Sequence, residues 1–422
     1  MISISRIREN PDAIQQAVAA KGEKIDLNSL LDLDQQHRDT QTQVNDLRAE
    51  RNQVSEEIAN VKRTGGDASD AINAMREVGD KIKSLEDKAD TFKSKIQSAL
   101  ELIPNTPHKS VPAGKDETEN KVVREWGDKP EFDYKIKDHL ELGSDLKLLD
   151  FERAAKIAGS GFPLYTGLGA KLERALINYM LDFHISEHGY TEIFPPFMAK
   201  SSAPFTCGQL PKFAEDMYYT DKDELYLIPT SEVPVTNYHR DEILKEEDLP
   251  KFYTAYSACF RREAGSYGKE TRGLLRVHQF NKVEMLKFVT PENSYTELEK
   301  LVENAEAILQ ALGLHYRVIE LCTGDLSFAA AKCYDLEVWS PAENTWLEVS
   351  SCSNFEDFQS RRGNIRYRRS SDKKTDFIHT LNGSGVATPR LVISLLESNQ
   401  TPDGKVIIPK NLQPYMGLEV LG

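Results

Sequence analysis

From Leu30 to Val61, positions 30, 33, 37, 40, 44, 47, 51, 54, 58 and 61 follow one another at alternating spacings of three and four, and most hold Leu, Val or Ile. The pattern restarts after "RTGGDAS" at Met75 and runs through Val78, Ile82, Leu85, Ala89, Phe92, Ile96 and Ala99 to Ile103, with mostly charged or polar residues between. Two coiled-coil helices are predicted, and Gly65 and Gly66 stand where a tight reversal would need them, so the pair folds back as an antiparallel hairpin. At ~1.5 Å per residue the first seam reaches roughly 48 Å, which makes an arm rather than part of a globular core. Pattern alone leaves open whether the arm is a dimerisation coiled coil, a spacer or a binding surface. It leaves open equally whether Arg38, Arg48, Arg51, Lys62 and Arg63 are a solvated face or a contact surface.

The segment "IPNTPHKSVPAGKDETENK" breaks the helical period with prolines and a glycine, dividing the chain into residues 1–105 and 106–422. Beyond it, helical stretches such as "GAKLERALINYMLDFHISEHG" alternate with short apolar runs such as "YLIPT", "FYTAYSACF", "HYRVIEL", "YDLEVWS" and "WLEVSSCS". This reads as an α+β fold with an antiparallel sheet rather than βαβ repeats. A length of 422 residues with 39% hydrophobic composition supports a real core. No run of eighteen apolar residues is present, and the start, "MISISRIRENPDAIQQ", reads as neither signal nor transit peptide, so a cytoplasmic protein without a membrane partner is expected. The five cysteines are scattered and never fall in CxxC spacing, so buried free thiols are expected and no structural zinc.

A net charge of -14 argues against blanket attraction to nucleic acid, so a polyanion would have to be met at a particular face. Against that acidity, "CFRREAGSYGKETRGLLRVHQFNKVEM" concentrates Arg261, Arg262, Lys269, Arg272 and Arg276. It reads as strand, glycine-containing loop and strand, placing Arg261 beside Glu263, with Arg276, Val277, Phe280 and Glu284 following along the second strand. Arginine forks match phosphate oxygens, an aromatic ring can stack on a base, and carboxylates accept from an amine. The stretch is therefore either a solvated basic loop or a site for a nucleotide beside an amino-bearing substrate. Three further stretches carry compatible features. "PTSEVP" holds Thr230 and Glu232, and "WLEVSSCSNFEDFQSRR" puts Glu348 and Ser351, oxygen donors of the kind Mg²⁺ accepts, at a strand end. In "LNGSGVATPRLVISLLE", Thr388 can cap a helix with Pro389 at its first position, leaving Arg390 in the first turn, where phosphate is attracted. There is no Walker sequence and no GxGxxG.

The order of these stretches resembles that of the class II aminoacyl-tRNA synthetases, and in detail the bacterial-type seryl-tRNA synthetases. "HGYTEIFPP" is similar to the first class motif, "FRRE" through "QFNKVEM" to the second, and "GSGVATPR" to the third, and the likeness extends over essentially the whole chain. The resemblance implies a six-stranded antiparallel catalytic sheet flanked by helices, a homodimer built partly around Pro196, and an N-terminal arm, carrying Arg38, Arg48, Arg51, Lys62 and Arg63, that grips tRNA(Ser) and, where present, tRNA(Sec). It implies attack of the L-serine carboxylate on the α-phosphate of ATP, giving seryl-adenylate, and then transfer to tRNA.

By position, the resemblance assigns ATP to Arg261, Arg262, Glu263, Arg276, Val277, Phe280, Glu348, Val349, Ser350, Ser351 and Arg390. Within that set Arg261 and Arg390 are catalytic, and Glu348 and Ser351 carry the Mg²⁺ that travels with ATP. It assigns serine to Thr230, Ser231, Glu232, Glu284 and Ser384. Two positions depart from many relatives: Arg262, where a small residue is usual, and Thr388-Pro389, where Val-Gly is usual. Two other readings compete. A ligase loading amino acids onto carrier proteins would lack the long arm and place thiolates where this chain has Thr230 and Ser384. A catalytically silent synthetase paralogue, acting as a binding or regulatory protein, would have no chemical need for Arg261, Glu263, Phe280, Glu284, Glu348 and Arg390 together.

Overall fold

The computed structural model describes residues 1–263 and 272–422; residues 264–271, with Lys269 and most of the glycine-containing stretch, lie outside the described residues. The chain forms two compact units. One comprises Ile2–Ala19 and Glu23–Ile103; the other comprises Pro104–Gly422 with Met1 and Ala20–Gly22.

The first unit is dominated by two long helices, α1 (Leu27–Arg63) and α2 (Ser69–Glu101), paired along their length. Asp26 starts α1 by accepting the amides of Asn28 and Ser29 at 3.0 and 3.2 Å, which satisfies donors that have no partner inside the helix. Leu30, Thr40 and Val44 are buried on α1, and Ile82, Ala89, Phe92 and Ile96 on α2, so most of the three-four positions do form the seam near its base. Toward the turn the seam thins, and Arg51 and Val61 are exposed. A buried acid on α1 lies outside the apolar pattern: Asp34 accepts Arg8 at 2.8 Å and Arg38 at 3.1 Å. The reversal uses Gly65 in the left-handed region (φ +80°), and the Gly66 amide donates to the Val61 carbonyl at 3.0 Å, closing the helix end.

The second unit is built on an eight-stranded sheet. Its strands are β1 (Lys121–Trp126), β2 (Thr191–Glu192), β3 (Lys251–Phe260), β4 (Gln279–Val289), β5 (Tyr316–Glu320), β6 (Lys332–Ser340), β7 (Thr345–Asn354) and β8 (His379–Ala387). They lie in the order β1-β5-β6-β7-β8-β4-β3-β2, antiparallel throughout except for the β2–β3 pair at one edge. Six strands were expected. The two extra ones are edge additions, β1 from the segment after the domain boundary and β2 from the "HGYTEIFPP" stretch.

Helices α3 (Gly167–His188), α4 (Ser294–Ala311) and α5 (Thr388–Ser398) pack on the sheet. In α4 the residues Leu298, Leu301, Val302, Ala305, Ile308 and Leu309 recur at helical spacing and are fully buried. They join Val283, Met285, Leu336, Val338 and Leu391 in one core. On β4 this fixes the faces: Val283 and Met285 point into the core, so Phe280, Lys282 and Glu284 point the other way. Among the described residues, no helix is long and apolar enough to cross a membrane. All five cysteines are buried and unpaired.

Candidate active site

A cleft of about 580 Å³ opens over the face of the sheet that the helices leave uncovered, a size that suits a small ligand. Its wall holds thirteen of the residues singled out from the sequence: Thr230, Glu232, Arg261, Glu263, Arg276, Val277, Phe280, Glu284, Glu348, Val349, Ser351, Ser384 and Arg390. They come from segments up to 160 residues apart in the chain, and two register shifts bring them into phase. Between β6 and β7 the pairing passes from Leu336–Ser350 to Glu337–Glu348, so Val349 is an extra residue on β7. That bulge puts Glu348 on the same side as Ser351, although residues three apart on a regular strand face opposite ways. Between β8 and β4 the pairing passes from Ser384–Glu284 to Ala387–Lys282, and this second bulge lets both Ser384 and Ala387 line the cleft.

One end of the cleft is cationic and aromatic. The Arg261 guanidinium lies 5.1 Å from the centre of the Phe280 ring, and its Nε–H donates to the Pro229 carbonyl at 3.4 Å. Arg276 Nη1 is 3.3 Å from the Glu263 carboxylate, and Glu263 adopts φ +49°, in the left-handed region. Arg390 sits in the first turn of α5, as the sequence predicts. It donates from Nε to the Leu275 carbonyl at 3.0 Å and from Nη1 to the Glu348 carbonyl at 3.1 Å, which fixes its plane and leaves further N–H groups for a ligand.

The floor at the other end is acidic and buried. Glu284 is wholly buried, and one carboxylate oxygen accepts Thr230 Oγ1 and Lys282 Nζ, both at 2.5 Å; the other accepts Asn382 Nδ2 at 3.3 Å. Glu232 accepts Gln359 Nε2 at 2.5 Å. Burial, reinforced by repulsion from Glu284, pushes its carboxyl from 4.5 up to about 7.

Three residues assigned to the site do not line the cleft. The Ser231 hydroxyl donates to Ser257 Oγ at 2.6 Å, and the Ser350 hydroxyl to the Ser384 carbonyl at 2.6 Å. Arg262, two residues past the end of β3, is exposed and absent from the cleft wall, its amide bonded to the Asp216 carbonyl at 3.1 Å. Two local expectations change as well. The second strand of the basic stretch begins at Gln279, not Leu274, because residues before it are tied elsewhere: the Leu274 amide donates to His139 Nε2 at 3.3 Å and the His278 amide to the Gly161 carbonyl at 2.7 Å. Arg276 and Val277 therefore reach the cleft from an irregular segment. Thr388 does not cap α5. Ala387 holds that place, and the Thr388 hydroxyl is turned toward Glu173 and the Asn281 carbonyl.

Sequence reasoning missed Lys282, Asn382 and Gln359. For Lys282 the signal was present, since it stands between Phe280 and Glu284 at the strand's period of two. Asn382 stands two residues before Ser384 on β8, whereas nothing local marks Gln359.

Behind the cleft, Glu173 of α3 accepts Asn281 Nδ2 at 2.8 Å and the Thr388 hydroxyl, and Tyr165 and Tyr256 are the titratable groups beside it. Burial raises its carboxyl from 4.5 to about 7. An acid whose pKa is raised by folding contributes least at high pH. The stability of the second unit should fall as pH rises from about 4.5 to about 7, by up to about 3 kcal/mol from this group, and level off above. Glu173→Gln mimics the protonated acid, so its melting temperature should match the parent near pH 5 and exceed it at pH 8. Equal differences at both pH values would contradict the assignment.

Residues 214–399, which carry β3 through β8 and most of the cleft wall, match the family model for the tRNA synthetase class II core domain (G, H, P, S and T). The class of protein is thus that of the class II aminoacyl-tRNA synthetases. Residues 1–107 match the seryl-tRNA synthetase N-terminal domain. The chain is 55% identical to the serine–tRNA ligase of Chloroherpeton thalassium, with 100% of each chain covered. The structure of seryl-tRNA synthetase from Pyrococcus horikoshii complexed with ATP superposes with a TM-score of 0.95 at 38% identity, covering 100% of this chain and 99% of that one. The cytoplasmic serine–tRNA ligase from Naegleria fowleri in complex with AMP gives 0.90 at 30% identity, covering 100% and 98%. The chain belongs to the seryl-tRNA synthetase family, ATP-dependent ligases of class II.

Proposed function

We propose that this protein adenylates L-serine with ATP in the cleft and transfers the seryl group to tRNA(Ser), and to tRNA(Sec) where that is present. The observation that carries the reading is the meeting, in one cleft, of the Arg261–Phe280–Arg390 end with the Thr230–Glu284–Ser384 floor. A nucleotide suits the first: Phe280 stacks on the base, Glu263 accepts its amino group, Val277 lies against it, and Arg261, Arg276 and Arg390 take the phosphates. An ammonium and a hydroxyl suit the second, divided among Thr230, Glu232, Glu284 and Ser384. A serine carboxylate oxygen then forms its bond to the α-phosphorus as the bond to pyrophosphate breaks. Arg261 stabilises the charge that builds there.

The donor set also fits the Mg²⁺ carried with ATP: Glu348 and Ser351 present hard oxygens on the same side of β7, and the cation would neutralise phosphate charge. The serine carboxylate is already ionised, so the step needs no general base from a histidine. His278 and His379 are engaged structurally, with the Arg261 carbonyl and the Ser294 hydroxyl respectively.

The test is ATP–pyrophosphate exchange with Mg²⁺ and, in turn, serine, threonine, alanine and glycine. Exchange with serine is expected, with alanine lower by roughly 10⁴ because the floor's hydrogen-bonding groups are stranded. No exchange with any amino acid from a folded protein that binds tRNA would favour the silent-paralogue reading.

The arm is assigned to tRNA, in a cytoplasmic homodimer. On α1, Arg48 is paired with Glu86 at 2.6 Å and Arg38 with Asp34, whereas Arg51, Lys62 and Arg63 are exposed and carry no ion pair among the described residues. The pair Lys62→Glu/Arg63→Glu should weaken tRNA binding and make the slope of log K against log salt shallower by about 2, while serine-dependent exchange is unchanged. An unchanged slope would remove these two residues from the interface.

A further inference from the structure

We propose that His139 is a positioning residue that sets Arg276 against Arg390 at the phosphate end of the cleft, an assignment that rests on the ATP-binding reading above. The two arginines reach that end by different routes. Arg390 is carried by α5, whereas Arg276 stands on the irregular segment 272–278, ahead of β4. Buried amides on such a segment need acceptors other than a strand ladder, and an arginine between them is only as well placed as those acceptors. His139 supplies one. It is wholly buried, begins the short helix His139–Asp145, and is absent from the cleft wall, so it acts through other residues rather than on a substrate. Its Nε2 accepts the amide of Leu274 at 3.3 Å, two residues before Arg276. An amide can only donate, so Nε2 carries the lone pair and the ring proton is on Nδ1.

Nδ1 faces Glu397 Oε1 at 3.3 Å, and the same oxygen accepts the His139 amide at 3.1 Å. Glu397 is itself fixed, since its other oxygen accepts Ser340 Oγ at 2.5 Å and the Ala342 amide at 3.3 Å. It lies on α5, seven residues and so two turns beyond Arg390. One imidazole thus joins the helix of one arginine to the segment of the other. Three neighbouring contacts belong to the same clasp. Gly273 has φ +61°, and a Cβ there would stand 2.3 Å from His139 Nε2, so the backbone comes against the ring only because glycine occupies the position. Asp138, next to His139, pairs with Arg272. The Leu275 carbonyl accepts Arg390 Nε at 3.0 Å, which closes the circuit from α5 back to the segment. A histidine suits the post because a rigid ring with a donor at one nitrogen and an acceptor at the other holds its two partners at a fixed separation.

The test measures binding of ATP and of AMP by calorimetry to the full chain and to His139→Phe and His139→Gln, with thermal melts as the check on folding. Phe keeps a ring and loses both hydrogen bonds, whereas Gln keeps a donor and an acceptor. AMP has a single phosphate, which Arg261 meets, and does not depend on the spacing of the other two arginines. His139→Phe should weaken ATP by about tenfold, the range expected when a buried amide loses its acceptor, and AMP by less than about threefold. His139→Gln should restore most of the ATP affinity. Equal weakening of ATP and AMP, no change in either, or a Gln variant no better than Phe would overturn the proposal. Should His139→Phe fail to fold, Gly273→Ala presses the segment off the ring from the other side and should weaken ATP more than AMP; an unaltered ATP affinity there overturns the proposal equally. A parent that binds ATP and exchanges pyrophosphate with serine, but whose variants fail these comparisons, loses only this inference. A parent that binds neither nucleotide loses the ATP reading and this inference with it.

Discussion

Arg261→Ala is expected to lower serine-dependent pyrophosphate exchange by about 10³-fold while leaving the melting temperature nearly unchanged. Removing one preorganised donor from developing charge costs about 10²–10³ in kcat, and here a full positive charge goes as well. The stability side follows from the contacts, because Arg261 is exposed, with one long hydrogen bond to the Pro229 carbonyl and the face of Phe280 beneath it. Surface losses of this kind stay within about 0.5 kcal/mol. The neighbouring Arg262→Ala supplies the contrast, since that side chain does not line the cleft and its residue is tied to Asp216 through the backbone amide. Exchange should fall less than tenfold there. Steady-state exchange with melting curves on both variants separates the two, and equal losses would mean that the cleft wall has been misread.

Glu284→Ala should abolish serine binding and also destabilise the second unit by about 3–5 kcal/mol. The second effect arises because Lys282 would be left as a buried ammonium with its counter-charge gone, and breaking a buried pair by removing one partner costs that much. The Thr230 hydroxyl and Asn382 amide lose their acceptor too. A double variant, Glu284→Ala/Lys282→Met, removes both charges and should recover most of the stability without recovering serine binding. Denaturant titration and calorimetry on the three variants close the cycle. A double variant as unstable as the single would show that the pair's charge is not the source of the effect, and recovery of serine binding in it would remove Glu284 from the substrate floor.

The arm was legible because coiled-coil spacing is a property of one helix at a time. The three-four pattern needs only the 3.6-residue turn, and it returned two helices and a glycine reversal. It could not show that Asp34 is buried, since that depends on Arg8 arriving from another helix to meet it. On β4 the strand period likewise placed Phe280 and Glu284 together, yet Lys282 between them read as one more charge in a basic run. Its burial follows from Glu284, and a charge is tolerated out of water only when such a partner is fixed beside it.

The sequence by itself determined the chemistry available and its local phase: the arginines, the aromatic, the acids, the helix that carries Arg390, and the strand faces at regular period. The tertiary structure decided which of these meet. Glu348 and Ser351 share a side because an extra residue at Val349 shifts the register against β6, and Ser384 faces Glu284 because β8 lies between β7 and β4. It also put Arg261 on the cleft wall and left Arg262 off it, and tied the Ser231 and Ser350 hydroxyls into internal hydrogen bonds. The physical reason is that periodicity is written by backbone geometry over a few residues. Strand order, bulges and the pairing of buried charges are set by packing between segments far apart in the chain, which no local spacing records.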